Sequence, residues 1–418
     1  MAPMFLLTLI GCFLFTVYGA LIHYYRRAWS AIPTFTPSPV SVKTCKTRIS
    51  VLVPARNEAA NIAGCMESLS RQSYPKDLYQ VIVIDDHSTD RTSEILEDLF
   101  LPDLSLTCLR LAELAGDPPR AVKAHKKFAI ETGIRAATGE LIVTTDADCH
   151  FHPDWLTTLA AFHEETGAKF IAAPVRISPP VRISDPVPIS PPVPISPPVQ
   201  LGEAPPPKHH SFLAIFQTLD FITLQGITGA AVYKKFHSMC NGANLAYEKK
   251  AFYEVGGFKG IDAIPSGDDM LLMHKIYSKY PAGVFFLKSR QAIVTTKPET
   301  SWSNFINQRI RWASKADQYD DKRIFWVLLL VYIVNAMFAA MAILACWNVL
   351  WLWPLLIGLT VKTVVEYPFV NAVATFFGQR PLMVYYPFLQ PFHILYTIVI
   401  GWLGKFGSYR WKDRKISK

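Results

Sequence analysis

The sequence predicts an α/β domain with a mostly parallel sheet, flanked by membrane helices. Three observations support this prediction. Short β-branched runs alternate with segments of helical periodicity between residues 27 and 322, as is typical of a parallel sheet covered by helices. Half of the 418 residues are hydrophobic and 18% are charged, a balance that excludes a disordered chain and an ordinary soluble enzyme. Long uncharged runs lie near both ends of the sequence.

The first element is the apolar segment at residues 4–25, which contains no Asp, Glu, Lys or Arg. As a helix it would cover about 33 Å, against a hydrocarbon core of about 30 Å. Nothing basic precedes it and Arg26 and Arg27 follow it. A retained anchor with its downstream side inside fits these flanks better than a cleaved signal peptide. We predict a transmembrane anchor at residues 1–27.

The middle of the chain predicts strands at 49–53, 81–84, 104–109, 141–145 and 169–173. Apolar residues at helical spacing lie between them, at positions 62, 65, 66 and 69 and at positions 95, 96 and 99. In such sheets ligands bind beyond the carboxyl ends of the strands. Polar runs follow three of the strands, and we expect them to meet at one edge of the sheet. Asp146 and Asp148 flank one short residue and suit a divalent cation, which would neutralise a departing diphosphate.

A hexapeptide is repeated four times at residues 175–198, within a proline-rich insertion that we place at 174–210. Its prolines exclude a helix and remove donors from any sheet ladder, so the expected state is polyproline II or irregular surface chain. A surface loop is the interpretation we favour. A ligand for a proline-binding module is the alternative.

The C-terminal region at 324–404 predicts transmembrane or interfacial helices. Residues 324–361 carry no charge and form a helical hairpin with a break near residues 346–348. Residues 382–404 are also uncharged but contain Pro387 and Pro391, so two and four crossings are both open. The tail at 405–418 has six basic residues and one acidic residue, which places it on the cytoplasmic side with Arg26.

The seven cysteines are not spaced as metal ligands are, and they predict neither a disulfide framework nor a zinc site.

Several motifs resemble those of the family 2 glycosyltransferases of the GT-A fold. They are PARNE at 54–58, VIVIDDHSTDRT at 81–92, GELIVTTDADC at 139–149, CNGANLAY at 240–247, VGGF at 255–258, GDD at 267–269 and QRIRW at 308–312, which matches QxxRW. The resemblance covers about residues 48–320 and implies a GT-A catalytic domain at 45–320. The order of the motifs is highly specific, although each alone is a weak signal.

The resemblance implies roles for individual residues. The implied donor-binding residues are Pro54, Ala55, Glu58, Asp85, Asp86, Lys126, Asp146 and Arg311, and the implied metal ligands are Asp146 and Asp148, for Mg²⁺ or Mn²⁺. Asp85 and Asp86 would hold the base or ribose, and the planar guanidinium of Arg311 would pair with the leaving diphosphate. His125 stands where the family commonly has Gly.

On the acceptor side, the resemblance implies Asp269 as the catalytic base, with Asp268 in reserve. The alternative for Asp269 is the N-cap of a helix that starts near Met270. Asn244, Gln308 and Trp312 are the implied acceptor-binding residues. Trp312, like Trp302, could instead anchor the chain at a bilayer interface.

The implied function is that of an inverting, metal-dependent enzyme that moves a sugar from a UDP-sugar or another nucleotide-sugar to a lipid or glycan hydroxyl. The expected place is the cytoplasmic face of the cell inner membrane or cytoplasmic membrane, in a multi-pass protein with no nucleic-acid partner. The oligomeric state is open, and the modest number of spans favours few additions. The alternatives are a sugar-phosphate nucleotidyltransferase and a membrane scaffold that presents the proline-rich segment.

Overall fold

The computed structural model describes residues 2–115, 124–177, 211–236, 239–264, 267–314, 322–407, 409–411 and 414–416. Its helices are α1 (Ala2–Ala31), α2 (Pro39–Thr44), α3 (Ile62–Ser70), α4 (Thr92–Asp98), α5 (Leu111–Ala115), α6 (His125–Ala136), α7 (Trp155–Thr166), α8 (Phe212–Tyr233), α9 (Lys249–Glu254), α10 (Met270–Lys279), α11 (Trp302–Ala313), α12 (Lys322–Trp347), α13 (Leu352–Phe376) and α14 (Tyr386–Phe406). Its strands are β1 (Ile49–Ala55), β2 (Tyr79–Asp85), β3 (Leu106–Arg110), β4 (Leu141–Thr144), β5 (Phe170–Ala172), β6 (Val175–Ile177), β7 (Leu245–Glu248), β8 (Val284–Phe286), β9 (Val294–Thr296), β10 (Tyr409–Trp411) and β11 (Arg414–Ile416).

The central sheet has seven strands in the order β3-β2-β1-β4-β7-β5-β8. Every pairing is parallel except those of β7, which runs antiparallel to β4 and β5. The predicted α/β class is therefore confirmed, and each of the five predicted strands is present. The sequence analysis did not predict β7, which enters the sheet between β4 and β5.

The register of the parallel strands brings their carboxyl ends together. Ala55 at the end of β1 pairs with Asp85 at the end of β2, and Leu52 of β1 pairs with Thr144 at the end of β4. Helices cover both faces. The residues Ile62, Cys65, Met66 and Leu69 of α3 are buried as predicted, and α6 packs on the opposite face, against β1 and β2.

A bundle formed by α1, α8, α12, α13 and α14 packs beside the sheet domain. The predicted hairpin is confirmed, because α12 ends at Trp347 and the Asn348 side chain accepts a hydrogen bond from the Leu350 amide at the start of the next turn. Among the residues that the structure describes, three helical segments are long and apolar enough to cross a membrane, namely Phe212–Tyr233, Lys322–Trp347 and Val349–Phe376. The membrane crossings predicted for α1 and α14 stay predictions.

The three segments differ in how much of their surface is buried inside the protein. The apolar window of α8 is 72% buried inside the protein, whereas those of Lys322–Trp347 and Val349–Phe376 are 17% and 11% buried. Small residues let neighbouring elements approach α8 closely, since Gly226 lies against Val373 and Gly229 lies against Trp29 and Phe286. The apolar composition of α8, which the sequence analysis did not predict as a helix, therefore reflects burial in protein.

The buried charges of Lys362 and Glu366 belong to one hydrogen-bonded network inside the bundle. Lys362 is fully buried and pairs with Glu366 at 2.7 Å, and its ammonium donates to Gln390 Oε1 at 2.8 Å. The hydroxyls of Tyr18 and Tyr386 donate to the Glu366 carboxylate. Because this network spans α1, α13 and α14, it fixes how the first helix sits against the last two.

The hexapeptide repeat begins in a strand. Val175–Ile177 forms β6, which pairs in parallel with β9. The remainder of the insertion, at residues 178–210, lies outside the described residues, so its expected conformation stays a prediction. In the tail, β10 and β11 form an antiparallel pair.

Lys288 joins the end of α1 to the sheet domain. Its ammonium donates to Trp29 O at 2.8 Å and Ile32 O at 3.4 Å, and it lies 4.6 Å from the centre of the Trp29 ring. A buried cation at the carboxyl end of a helix satisfies carbonyl groups that lack helical partners and interacts favourably with the helix dipole.

We expect Lys288→Met to lower the free energy of unfolding by about 2 kcal/mol, since hydrogen bonds from a charged donor contribute about 1.5–3 kcal/mol. The measurement is thermal unfolding of the purified full chain in detergent, followed by circular dichroism. Lys250→Met is the control, because the Lys250 side chain is 82% exposed. Equal melting temperatures for the two variants would contradict the proposed contribution of Lys288.

Candidate functional site

The loops that follow β1 and β2 are interlocked by hydrogen bonds. The Asn57 amide donates to Ser88 Oγ at 3.0 Å, the Thr89 amide donates to Asn57 Oδ1 at 2.8 Å, and the Glu58 amide donates to Thr92 Oγ1 at 2.8 Å. Asn57 and His87 both adopt left-handed backbone conformations, with φ of 53° and 58°. Such conformations are costly for residues other than Gly and persist where the surroundings impose them, as at binding sites.

The side chain of Asp85 stabilises this pair of loops. It is 5% exposed, and its carboxylate accepts hydrogen bonds from the Ser88 amide at 2.9 Å and from the Ser93 hydroxyl. A cleft of about 290 Å³ opens beside it, with His87 and Arg110 among its lining residues. The contacts of Asp85 therefore shape the loop that carries Asp86.

Asp86 lies between two histidines. Its Oδ1 atom is 3.1 Å from His87 Nδ1 and 3.8 Å from His125 Nδ1, and Arg56 donates to its main-chain carbonyl at 2.8 Å. Because His125 is the first residue of α6, this contact brings the start of α6 to the ends of β1 and β2. Pro54 and Ala55 are the last two residues of β1 and lie at the same edge of the sheet.

Asp146 and Asp148 follow β4 and differ in environment. Asp146 is partly exposed, while Asp148 is largely buried and accepts a hydrogen bond from Thr296 Oγ1 at 2.8 Å. Burial, and then the negative charges of Asp146 and Glu58, raise the pKa of Asp148 to about 6. Within the described residues, no three His, Cys, Asp or Glu side chains converge as a metal site. Asp146 and Asp148 are thus a close carboxylate pair that lacks a third protein ligand of these types.

Lys126 connects this pair to the distant acidic motif. Its ammonium lies 2.8 Å from Asp146 Oδ1 and 3.7 Å from Asp268 Oδ2, so these two carboxylates are no further apart than the sum of the two distances. Burial alone would lower the pKa of Lys126, but the Asp146 and Asp268 charges outweigh it and raise the pKa above its ordinary value. Lys126 is therefore a permanent cation shared by two carboxylates.

Asp269 lies at the same cluster and caps α10. Its Oδ1 accepts from the Met270 amide at 2.8 Å and its Oδ2 from the Gly242 amide at 3.2 Å. The N-cap alternative for Asp269 is thus observed. A Cβ added at Gly242 would lie 3.4 Å from both Asp268 Oδ2 and Lys126 Nζ, which confirms that these groups converge. Thr144 at the end of β4 donates to Gly242 O at 3.3 Å and ties them to the sheet.

The QRIRW segment lies on α11. Gln308 donates to Glu299 Oε1 at 2.9 Å. Burial raises the pKa of Glu299, and the charges of Arg311 and Arg309 oppose that rise. Arg311 and Trp312 are half-buried, and the Trp312 ring is 5.9 Å from the Phe221 ring. Gln308 thus binds the Glu299 carboxylate, and the charge of Arg311 acts on the same carboxylate.

Asn244 does not face this cleft. It is fully buried, its amide donates to Pro174 O at 2.8 Å and Ala292 O at 2.7 Å, and its oxygen accepts from Trp155 Nε1 at 3.1 Å. Every polar group of the side chain is used inside the protein. The prediction that Asn244 contacts an acceptor is therefore wrong, and its role is to hold the strand ends together.

The sequence analysis missed a buried ion pair next to Trp312. Arg309 is 2% exposed, its Nη2 atom lies 3.0 Å from Asp220 Oδ2, and its guanidinium lies 4.2 Å from the centre of the Trp312 ring. Asp220 is the one charged residue in the apolar segment of α8. A lone carboxylate in an apolar segment usually has a cationic partner. The presence of Asp220 could therefore have indicated a paired cation elsewhere in the chain.

Comparisons with known proteins agree with the motifs. The family model described as Glycosyl transferase family 2 matches residues 50–195, and the model described as Glycosyl transferase family group 2 matches residues 199–403. Glycosyltransferase AglE of Haloferax volcanii is 32% identical over 130 residues, which are 31% of this chain and 40% of that protein. Beta-monoglucosyldiacylglycerol synthase of Nostoc sp. is 35% identical over 108 residues, which are 26% of this chain and 22% of the relative. The chain matches less than half the length of either relative.

A comparison with solved structures finds a similar fold. It is that of the mannosyltransferase PcManGT from Pyrobaculum calidifontis in complex with GDP-Man and Mn²⁺. The TM-score is 0.57 at 20% sequence identity, and the likeness covers 92% of this chain and 99% of that chain. At this identity, the likeness establishes a shared fold.

We expect Asp148→Asn to stabilise the metal-free protein at pH 7 by about 2–3 kcal/mol, since one pKa unit corresponds to about 1.4 kcal/mol. The pKa of Asp148 is higher in the folded chain than the usual value of about 4, so the folded state binds the extra proton and stability falls as pH rises from about 4 to about 6. The gain should disappear at pH 4. Thermal unfolding in EDTA at both pH values measures it.

Asp98→Asn is the control for this comparison, because Asp98 is exposed on α4. Its melting temperature should follow that of the unaltered chain at both pH values. Destabilisation of the Asp148→Asn protein at pH 7 would show that burial and repulsion at Asp148 cost less than its hydrogen bond to Thr296 contributes.

Proposed function

Because this chain belongs to the family 2 glycosyltransferases, enzymes that transfer sugars, we propose that it is an inverting, metal-dependent glycosyltransferase. The donor is a nucleotide-sugar, which we assign as a UDP-sugar. The acceptor is a hydroxyl of a lipid or glycan at the cytoplasmic face of a membrane. The catalytic domain is residues 45–320.

The observation that carries this proposal is the position of Lys126. Its ammonium lies between Asp146, on the side of the strand ends, and Asp268, in the acidic motif. A sugar transferred between two substrates requires a donor site and a proton acceptor within one cleft, about one sugar apart. The Lys126 cluster supplies both, and it also carries the positive charge that a departing diphosphate needs.

The donor would lie along the edge formed by β1, β2 and β4. Asp86 would accept hydrogen bonds from the base or ribose, in the pocket shaped by Pro54, Ala55 and Glu58, with Asp85 holding the loop. The start of α6, at His125 and Lys126, faces the same edge. Main-chain amides at a helix N-terminus favour phosphate groups, so the diphosphate would lie near this turn.

Asp146 and Asp148 fit a divalent cation as a two-carboxylate site. Mg²⁺ and similar ions are commonly held by one or two carboxylates, with water and substrate phosphates completing the coordination. The raised pKa of Asp148 marks a carboxylate whose charge is not balanced within the protein. A cation bound there would neutralise the diphosphate. The mannosyltransferase of similar fold was solved with Mn²⁺, so Mn²⁺ is the first ion to test.

Asp269 is the proposed catalytic base. The acceptor oxygen forms a bond to the anomeric carbon as its proton passes to the Asp269 carboxylate, and the bond from that carbon to the diphosphate oxygen breaks with its electron pair. Asp268 is held in reserve because its Oδ2 lies 3.7 Å from the Lys126 ammonium and is already used in that contact. Arg311 would pair with the diphosphate through its planar donor groups.

The acceptor would approach from the side of α11. Trp312 offers an aromatic face suited to a sugar or lipid headgroup, and Gln308 borders it. Among the described residues, Lys322–Trp347 and Val349–Phe376 are long and apolar enough to cross a membrane and are mostly not buried in the protein, and one relative is named as a beta-monoglucosyldiacylglycerol synthase. These observations support a lipid acceptor and a multi-pass placement with a transmembrane anchor at 1–27, helices at 324–404 and the tail at 405–418 on the cytoplasmic side.

We expect membranes that contain the full chain to transfer radiolabel from a nucleotide-sugar to a product that extracts into organic solvent. A panel of UDP- and GDP-sugars identifies the donor in the same assay. Asp269→Asn should lower the rate by about 10²- to 10⁴-fold, the usual contribution of a catalytic base. Binding of the nucleotide, measured by calorimetry, should change by less than about threefold, because the hydroxyl proton, and not the donor, is the partner of Asp269.

Asp98→Asn is the matched control and should retain full transfer. Asp269→Asn with unaltered transfer would move the base elsewhere, to Asp268 first. Release of pyrophosphate from a nucleoside triphosphate in place of sugar transfer would identify a nucleotidyltransferase. No turnover of any donor by the folded chain would favour the membrane scaffold.

We expect EDTA to abolish transfer and excess Mn²⁺ or Mg²⁺ to restore it. Asp148→Asn should raise the Mn²⁺ concentration needed for half-maximal rate by at least about tenfold, since even residues that only support metal ligands contribute 10- to 100-fold in affinity. Full activity in EDTA would remove Asp146 and Asp148 from the metal role.

A further inference from the structure

We propose that Lys127 is a positioning residue that holds the acidic motif at residues 267–269 against the donor edge. This inference rests on the function proposed above. Lys127 is adjacent to the donor-site lysine, yet none of the motifs in the sequence assigns it a role.

Lys127 is a buried ammonium in the first turn of α6. It is 2% exposed, and its Nζ donates to Ile261 O at 2.7 Å and Ile264 O at 2.8 Å. An ammonium removed from water is costly unless it is hydrogen-bonded or paired. The two carbonyl contacts help to offset that cost, and they bind the turn at 261–264 more strongly than neutral donors would.

The segment that Lys127 holds has no regular structure of its own. Gly256, Gly257 and Gly260 have φ of 72°, 53° and 87°, and residues 256–264 are joined by short-range turn hydrogen bonds. Phe258 packs in the core, and Ile261 and Ile264 pack against it, while the main-chain carbonyls of this segment depend on donors from other elements. Lys127 anchors it from α6. The acidic motif begins three residues after Ile264, at Gly267.

Two adjacent lysines therefore bind the same stretch of chain at two points. Lys126 contacts the Asp268 carboxylate at 3.7 Å, and Lys127 contacts the carbonyls that precede it. Both ammonium groups leave the first turn of α6, whose start also faces Asp86. A shift of the 261–264 turn would move Asp268 and Asp269 relative to the donor edge. A misplacement of 1 Å is enough to cost about a hundredfold in rate.

Lys275 provides a matched control. Its ammonium, on α10, donates to Gly257 O and to Lys259 O at 2.8 Å. It therefore binds carbonyls of the same segment by the same chemistry, but from a helix that follows the acidic motif and at positions further from it in sequence. Loss of either lysine would loosen the segment. Only the loss of Lys127 should also displace the acidic motif at residues 267–269.

The experiment compares Lys127→Met, Lys127→Arg and Lys275→Met in the full chain. We expect Lys127→Met to lower kcat by about 10- to 100-fold while the KM for the nucleotide-sugar changes less than about threefold. Lys127→Arg, which keeps the charge and several donors, should recover part of the loss. Lys275→Met should lower kcat by less than threefold. Hydrogen exchange of the folded proteins should show faster exchange at residues 261–264 in Lys127→Met.

Unaltered kcat in Lys127→Met, or equal losses in Lys127→Met and Lys275→Met, would overturn the proposal. If Lys127→Met does not fold, Lys127→Gln replaces it, because a neutral amide keeps a donor but loses the charge that strengthens the two carbonyl contacts. Unaltered kcat and unaltered exchange at residues 261–264 in that variant would likewise overturn the proposal. Should the folded chain transfer sugar from no donor in the panel, the proposed function fails by itself. The exchange measurement then still shows whether Lys127 holds the segment.

Discussion

The site depends on one electrostatic arrangement, the Lys126 ammonium between the carboxylates of Asp146 and Asp268. The first turn of α6 and the end of β4, which are consecutive elements, meet there with the segment before α10, which lies far along the chain. Without a shared cation, the acidic groups of these parts would repel one another in a partly buried cleft. The three groups stay within contact distance only if the sheet register, the start of α6 and the turn at Gly242 keep their relative positions.

Local patterns in the sequence were sufficient to predict much of the fold. The strands β1 to β5, the buried face of α3 and the break at Asn348 all follow from periodicity or from an interruption in an apolar run. The antiparallel strand β7 and the helix α8 were missed, because the packing that defines them involves distant residues. α8 is apolar because it lies among α1, α13 and the sheet domain, and nothing within its own residues distinguishes that environment from lipid.

The motifs predicted the location of the site accurately. They predicted the roles of its individual residues less accurately. Lys126, Asp146, Asp268 and Asp269 converge as expected. Asn244 comes from an equally specific motif, but its side chain is used entirely within the protein, and Asp85 supports a loop. A motif marks residues that must lie near a site, and it does not separate contact with a ligand from support of the backbone. Lys127 and the Arg309 and Asp220 pair were missed because each depends on a partner far away in the chain.

The polar network inside the helical bundle also constrains the order in which the protein is assembled. Tyr18 and its partner Glu366 are separated by 348 positions, so a ribosome completes almost the whole catalytic domain before the partner of the first helix exists. Lys362 and Glu366, by contrast, emerge within one helical turn of each other and neutralise each other at once. The Tyr18 hydroxyl is therefore synthesised long before its acceptor, whereas the two buried charges of Lys362 and Glu366 are synthesised close together.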